Sequence, residues 1–141
     1  MRNFFSILAF LVCFSIFPQK NYYVSNSLGN NNNSGTSENS PFQTINRAFD
    51  NVQPGDTINV MNGLYHNVDY GTANPHESDG SQSTNMNNPP AVIVNKSGMQ
   101  GNYITLRNLP GHNPKIKYDG RGGILINGPQ SYVIIEGFEI E

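Results

Sequence analysis

The chain has a single cysteine, Cys13, no tryptophan and few charged residues. One thiol cannot close a disulfide within the chain, so a disulfide-stapled scaffold is excluded. Charged residues make up 13% of the sequence and the formal net charge is −2, which leaves no basic stripe of the kind that binds phosphate backbones. We therefore expect no nucleic-acid partner, and uncharged polar residues, asparagine above all, must form most of the surface.

Long apolar runs are also missing, apart from one at residues 4–17 between Arg2 and Pro18. This run is shorter than the roughly 20 residues of a transmembrane helix and has the proportions of a secretory signal peptide. We predict that residues 1–20 are a signal peptide. The mature protein would then be secreted, periplasmic or at the cell surface, with no membrane association after cleavage. The alternative is an uncleaved N-terminal anchor, because small residues are missing at the usual cleavage positions.

Residues 40–65 predict a short helix followed by a strand. Ser40 and Gln43 form a capping box with Pro41 at the first helical position, so the helix is predicted to begin there. Gly55 lies in the turn that ends it and is expected to need a positive φ. The helix is predicted to be amphipathic, with one apolar stripe that packs against the rest of the protein. The stripe consists of Phe42, Ile45, Ala48 and Phe49.

Short alternating segments predict strands along most of the remaining chain. In Thr57–Met61, Ile58 and Val60 occupy the buried face. In the strand that begins at Tyr103, inward residues alternate with the outward pair Thr105 and Arg107. The other predicted strands are 21–25, 91–95, 115–118, 124–127, 132–136 and 138–140.

Strands of this length fit either a sandwich of hairpins or a parallel β-helix, in which the strands wind as coils. The segments YITLRN at Tyr103 and YVIIEG at Tyr132 recur after 29 residues, a period typical of solenoid coils. This repeat favours an all-β fold of the second kind: a right-handed parallel β-helix (solenoid) with a short N-terminal capping helix. Its parts would be a cap at 21–56, an insertion loop at 66–90 and coils at 91–141.

The order of YYVS, an Asn/Ser/Gly-rich loop, SPFQTINRAF, QPGDTINV, SGMQGNYITL and SYVIIEGFEI resembles the N-terminal cap and first coils of secreted β-helix proteins. These form the pectate-lyase-like superfamily, which includes polysaccharide lyases such as chondroitinase B-like enzymes. The resemblance implies a polysaccharide or glycan partner and, by resemblance only, Ca²⁺ as a cofactor. It also implies an asparagine ladder in the turns, with Asn62, Asn108 and Asn127 as its members. No segment matches a catalytic motif of the family, so neither catalytic residues nor metal ligands are assigned.

The insertion at 66–90 has no usable periodicity and is predicted to be a solvated loop. The competing interpretation makes it one wall of a saccharide groove, with Tyr65 or Tyr70 stacking on sugar rings and its carboxylates holding Ca²⁺. The acid–base and metal-capable side chains of the insertion are His66, Asp69, His76, Glu77 and Asp79. Three further charged residues can reach a groove but are more often surface charges: Asp119, Arg121 and Glu136.

Two function classes fit these observations. The first is an exported enzyme, a polysaccharide lyase or glycoside hydrolase, that acts on acidic, uronate-containing polysaccharide. The alternative is a non-catalytic β-helix adhesin or glycan-binding protein. The apolar strands near Ile140 are followed by no capping element, so we expect that C-terminal coils of the same protein are missing and that this fragment alone is inactive.

Overall fold

The computed structural model describes residues 18–66, 90–117 and 122–141. No helix in these ranges is long and apolar enough to span a bilayer. Within them the chain forms one helix and nine strands: β1 Asn21–Val24, α1 Ile45–Asn51, β2 Thr57–Val60, β3 Leu64–Tyr65, β4 Val92–Val94, β5 Ile104–Asn108, β6 Lys115–Ile116, β7 Ile124–Ile126, β8 Val133–Glu136 and β9 Glu139–Ile140.

The strands pair in parallel and form three sheets. The first sheet has the order β1-β2-β5-β8, the second β3-β6-β9 and the third β4-β7. Along the chain, successive strands from β2 onward enter the first, second and third sheet in turn, and this cycle then repeats. The fold is therefore a right-handed parallel β-helix, as the 29-residue repeat predicted, and the hairpin sandwich is excluded.

The coils stack in register, so like side chains lie above one another. Ile104 pairs with Val133, the 29-residue step seen in the sequence. Ile58 pairs with Leu106, and both side chains are fully buried in the centre of the solenoid. In the last coil Val133, Ile135 and Phe138 are partly buried and pack on this core, whereas the intervening Ile134 points outward.

The helix begins at Ile45, so the prediction of Ser40 as N-cap and Pro41 as first helical residue was wrong. Thr44 is the N-cap, and its hydroxyl accepts a hydrogen bond from the Arg47 amide at 3.2 Å. The reason lies in Phe42, whose backbone exchanges hydrogen bonds with β1: its amide donates to the Tyr23 carbonyl at 2.9 Å. That pairing requires extended backbone, which the first turn of a helix does not offer. The predicted apolar stripe is nevertheless correct, since all four of its side chains are buried.

The cap protects two sheet edges that would otherwise expose unpaired backbone groups. At β1, the Tyr23 amide donates to the Gly35 carbonyl at 2.7 Å, so the Asn-rich loop folds back onto the strand. At β4, the side chain of Asn46 acts as a substitute strand, accepting from the Ile93 amide at 2.6 Å and donating to the Ala91 carbonyl at 3.2 Å. Asn46 is not part of the apolar stripe of the helix, and its side chain closes the edge of the third sheet.

The predicted asparagine ladder is only partly formed as expected. Asn62 lies in the turn between the first and second sheets, where its amide oxygen accepts from the Asn113 backbone at 2.6 Å, and Asn108 ends β5 next to this turn. Asn26 joins them there by donating to the Leu64 carbonyl at 2.7 Å. Asn127 does not belong to this turn, because it follows β7 of the third sheet.

Candidate functional site

The outward side chains of the first sheet form one continuous surface, which we call the outer face. Residues alternate along each strand, and the parallel register aligns the outward ones in rows across the strands. The middle row contains Asn21, Thr57, Thr105 and Ile134, and the row near the strand ends contains Tyr23, Asn59, Arg107 and Glu136. Tyr103 and Tyr132 directly precede β5 and β8, and their rings contact each other at the start of these strands. Unlike the core, this surface combines aromatic, hydroxyl, amide and charged groups.

Asn59 organises the row near the strand ends although it points away from the core. It is 2% exposed and forms hydrogen bonds to both neighbouring strands. Its amide nitrogen donates to Asn21 Oδ1 at 3.3 Å and to the Tyr22 carbonyl at 3.4 Å, and its oxygen accepts from Arg107 Nε at 3.0 Å. A buried amide that is hydrogen-bonded on both sides fixes the position of the guanidinium next to it.

Arg107 uses only its Nε in a hydrogen bond to the described part of the chain, the bond to Asn59, so its two terminal nitrogens have no partner among the described residues. A guanidinium has five N–H donors in a planar fork, which matches the two oxygens of a carboxylate. Arg107 is half-buried, which strengthens such an interaction relative to bulk water.

Glu136 lies beside Arg107 on the adjacent strand, since their Cα positions pair in the register of β5 and β8. Its side chain is exposed. In the described ranges the observed ion pair is a different one, Lys115 Nζ with Glu139 Oε1 at 2.9 Å on the second sheet. The outer face therefore presents a cation and a carboxylate side by side without an ion pair between them.

Tyr103 and Tyr132 form the aromatic end of the outer face. Their ring centroids are 5.8 Å apart and the planes meet at 73°, an edge-to-face arrangement. The two side chains are 43% and 42% exposed, so the ring surfaces remain available to solvent.

The structure corrects the expectation for Tyr65. This side chain is 2% exposed, and its hydroxyl donates to the carbonyls of Val24 at 3.2 Å and Met61 at 3.0 Å. It is a core residue and cannot stack on a sugar. His66 is also buried, at 8% exposure.

The other predicted site residues lie outside the described residues: Asp69, Tyr70, His76, Glu77, Asp79, Asp119 and Arg121. Within the ranges that are described, no group of three His, Cys, Asp or Glu side chains is placed to hold a metal ion. Glu136 is the predicted groove residue that the structure does place on the outer face.

The sequence signalled Arg107 as outward but gave no sign of its partner. Asn59 and Arg107 are 48 residues apart, and the segment 67–89 lies between them. Only the register of β2 and β5 brings them together. The aromatic pair was visible in the repeat of YITLRN and YVIIEG, which starts with Tyr103 and Tyr132.

The fold and this surface define a right-handed parallel β-helix protein with a mixed polar and aromatic outer face. The chain belongs to the family described as a protein of unknown function (DUF1565), whose model matches residues 27–140. Curated proteins gave no significant match.

Two solved structures have a similar fold. A rhamnogalacturonan lyase matches with a TM-score of 0.59 and 23% identity, over 86% of this chain and 28% of that one. A GH136 lacto-N-biosidase from Eubacterium ramulus matches with a TM-score of 0.63 and 18% identity, over 86% of this chain and 20% of that one. The chain thus spans between a fifth and about three-tenths of the length of these proteins.

Proposed function

We propose that the chain is part of an exported carbohydrate-active β-helix protein and that its outer face binds uronate-containing polysaccharide. The observation that carries this proposal is Arg107, a guanidinium held by Asn59 on an open, polar surface with its terminal nitrogens directed to no described partner. The names of the two similar structures, a rhamnogalacturonan lyase and a lacto-N-biosidase, support carbohydrate as the ligand class.

The chemistry of the face fits an acidic sugar better than a neutral one. The Arg107 fork can donate two parallel hydrogen bonds to a uronate carboxylate, and such charge-assisted bonds are about twice as strong as neutral ones. Thr57 and Thr105 in the middle row supply hydroxyl groups that can bond sugar hydroxyls. Glu136 beside Arg107 would repel a second carboxylate at the same place, which favours one acidic group per binding position.

The test is a binding titration with a uronate oligosaccharide and with the same oligosaccharide after its carboxyls are reduced to alcohols. We expect the protein to bind the acidic form more tightly. Arg107→Gln should weaken binding of the acidic form by about 10- to 100-fold, the equivalent of one charge-assisted hydrogen bond. Arg107→Lys should recover only part of this, because an ammonium lacks the planar fork.

Arg47→Gln is the matched control. Arg47 is an exposed arginine on the cap whose Nε is likewise engaged, here by donating to the Asn31 carbonyl at 3.1 Å. Its loss should leave binding unchanged. Equal binding of the acidic and reduced oligosaccharides, or equal effects of the two arginine substitutions, would contradict the proposal.

We propose further that the reaction on this polysaccharide is that of a lyase. In a lyase, a base removes the proton α to the uronate carboxylate while a cation stabilises the enolate that develops. Arg107 can supply such a cation, and the Arg107–Glu136 neighbourhood is where this chemistry would be sought. Release of unsaturated sugar products, followed by their ultraviolet absorbance, would support a lyase, whereas binding without turnover by the whole protein would support the adhesin or glycan-binding alternative.

Export and calcium remain proposals from the sequence. The apolar run at 4–17 supports export, and N-terminal sequencing of protein recovered from a secreting host would locate the cleavage site. Calcium is supported by the resemblance and by Asp69, Glu77 and Asp79 in the insertion. Titration of Ca²⁺ into chelator-treated protein would show whether glycan binding depends on it.

A further inference from the structure

Tyr132 has a backbone conformation that its side chain disfavours. Its φ is 57°, and among the described residues it is the one non-glycine residue with a positive φ. The left-handed region costs an L-residue other than glycine about 1–2 kcal/mol. Gly or Asn would adopt this conformation at lower cost, so the turn before β8 does not by itself account for a tyrosine here.

Contacts with the preceding coil hold Tyr132 in place. The Ile104 amide donates to the Tyr132 carbonyl at 3.1 Å, and the Gly98 amide donates to the Ser131 carbonyl at 3.0 Å. The Ser131 amide donates in turn to Ser97 Oγ at 3.2 Å. A Cβ atom at position 98 would collide with the Tyr132 carbonyl, so Gly98 is what permits this close approach.

The turn holds Tyr132 in a strained conformation, and the ring of Tyr132 is exposed to solvent. Tyr132 meets Tyr103 edge to face, with 42% and 43% of the two side chains exposed. Buried tyrosines in this chain behave differently, since Tyr65 directs its hydroxyl to two backbone carbonyls in the core. Backbone strain that presents a side chain to solvent is a feature of functional sites.

We infer that Tyr103 and Tyr132 form an aromatic subsite that binds the C–H face of a pyranose ring in the same glycan chain that Arg107 holds by its carboxylate. This inference rests on the proposed function and adds a second contact point to it. A pyranose has an apolar face and a rim of hydroxyls, which matches exposed tyrosine rings that carry phenolic hydroxyl groups. Thr105 lies between the two contact points on β5 and can bond the rim.

The spacing of the two contacts predicts which ligands use both. Tyr103 and Arg107 are four residues apart along one strand, or about 13 Å at the strand rise of about 3.3 Å per residue. One sugar ring cannot reach both. The glycan must therefore run along β5 and β8, and its affinity should rise with length until it bridges the tyrosines and the arginine.

The test measures the affinity of the 141-residue chain for uronate oligosaccharides of increasing length. Tyr132→Asn is the central variant, because Asn tolerates positive φ, so the variant should fold at least as well as the wild type. We expect it to lower the affinity for long oligosaccharides by about 3- to 10-fold and to leave the affinity for a single uronate unchanged. Tyr103→Ala should act in the same way, and Tyr132→Phe should retain most of the affinity.

Leu125→Ala provides the control, since Leu125 is a 47% exposed apolar residue on the third sheet and not on the outer face. Circular dichroism and thermal unfolding verify that each variant is folded. If the wild type binds long uronate oligosaccharides through Arg107 but Tyr132→Asn and Tyr103→Ala bind them equally well, the aromatic subsite is wrong and the proposed function stands. If the wild type binds no acidic glycan at any length, both are wrong.

Discussion

At the scale of single residues, Asn59 connects the fold to its surface. Its side-chain nitrogen donates to Asn21 and to the Tyr22 carbonyl on β1. Its side-chain oxygen accepts from Arg107 on β5 and so positions the guanidinium. Alternation predicted that Asn59 would face outward. Its hydrogen bond to Arg107 was not predictable, because the two residues are 48 positions apart and only the register of β2 and β5 pairs them.

Asn59→Ala should therefore reduce both stability and glycan affinity. Leaving the partners of a buried amide unsatisfied costs about 1–3 kcal/mol of the free energy of unfolding, which urea denaturation measures. Asn95→Ala, at an exposed position after β4, is the control and should change little. A stable Asn59→Ala protein that binds uronate like the wild type would show that Asn59 does not position Arg107.

Ionisation of Tyr22 should lower the stability of the folded protein at alkaline pH. Burial, with a smaller contribution from the Asp56 carboxylate, raises the pKa of Tyr22 above its ordinary value of 10.0. The unfolded chain then loses this proton at a lower pH than the folded one. The contribution to stability is complete below pH 10 and is lost as the pH rises through the higher folded pKa.

Tyr22→Phe should flatten this decline, because the ring can still stack on Phe42, at a centroid distance of 5.9 Å, without a group to ionise. The check is the free energy of unfolding measured between pH 8 and about pH 11. If the free energy of unfolding falls equally with pH in the two proteins, groups other than Tyr22 cause the loss of stability.

At the scale of elements, the cap shows where local sequence signals compete with pairing. Ser40, Pro41 and Gln43 carry a good capping box, yet Phe42 is held extended by β1 and the helix begins three residues beyond it. Local propensity predicted the helix and its buried stripe. Its first residue was set by a backbone pairing with β1, which no local pattern records.

Thr44→Ala and Ser40→Ala distinguish the two capping schemes. Thr44→Ala should lower the free energy of unfolding by about 1 kcal/mol, because the Arg47 amide loses its acceptor. Ser40→Ala should have a smaller effect, since Ser40 is not the N-cap. Thermal or urea unfolding of both variants provides the measurement, and the reverse order would support the capping box.

At the scale of the whole molecule, the parallel β-helix was predictable because a solenoid repeats its coil. Strand alternation and the 29-residue step were enough to find the fold, and the structure reproduces that step as the register of Ile104 with Val133. The outer face was harder to predict. It combines residues from four strands, and the rows that align them depend on the length of every turn and insertion between those strands.

Ile135 and Ile134 test the register of the last coil directly. Ile135 pairs with Leu106 and packs on the core, whereas its neighbour Ile134 is 40% exposed on the outer face. Ile135→Asp should unfold or aggregate the chain, because a carboxylate on the core side has no partner there. Ile134→Asp should remain soluble and folded. Equal stability of the two variants by thermal unfolding would mean that β8 is in the wrong register.

Arg107 on the outer face is the residue that we propose binds the carboxylate of an acidic sugar. The most direct measurement is the NMR signal of its Nε–H during titration with a uronate oligosaccharide, because the bond to Asn59 Oδ1 shields this proton from exchange with water. We predict a saturable shift of the Arg107 signal that is absent with the carboxyl-reduced oligosaccharide, while the Arg47 signal stays in place. An Arg107 signal that does not move while the glycan binds would contradict the claim and would place the binding site elsewhere on the molecule.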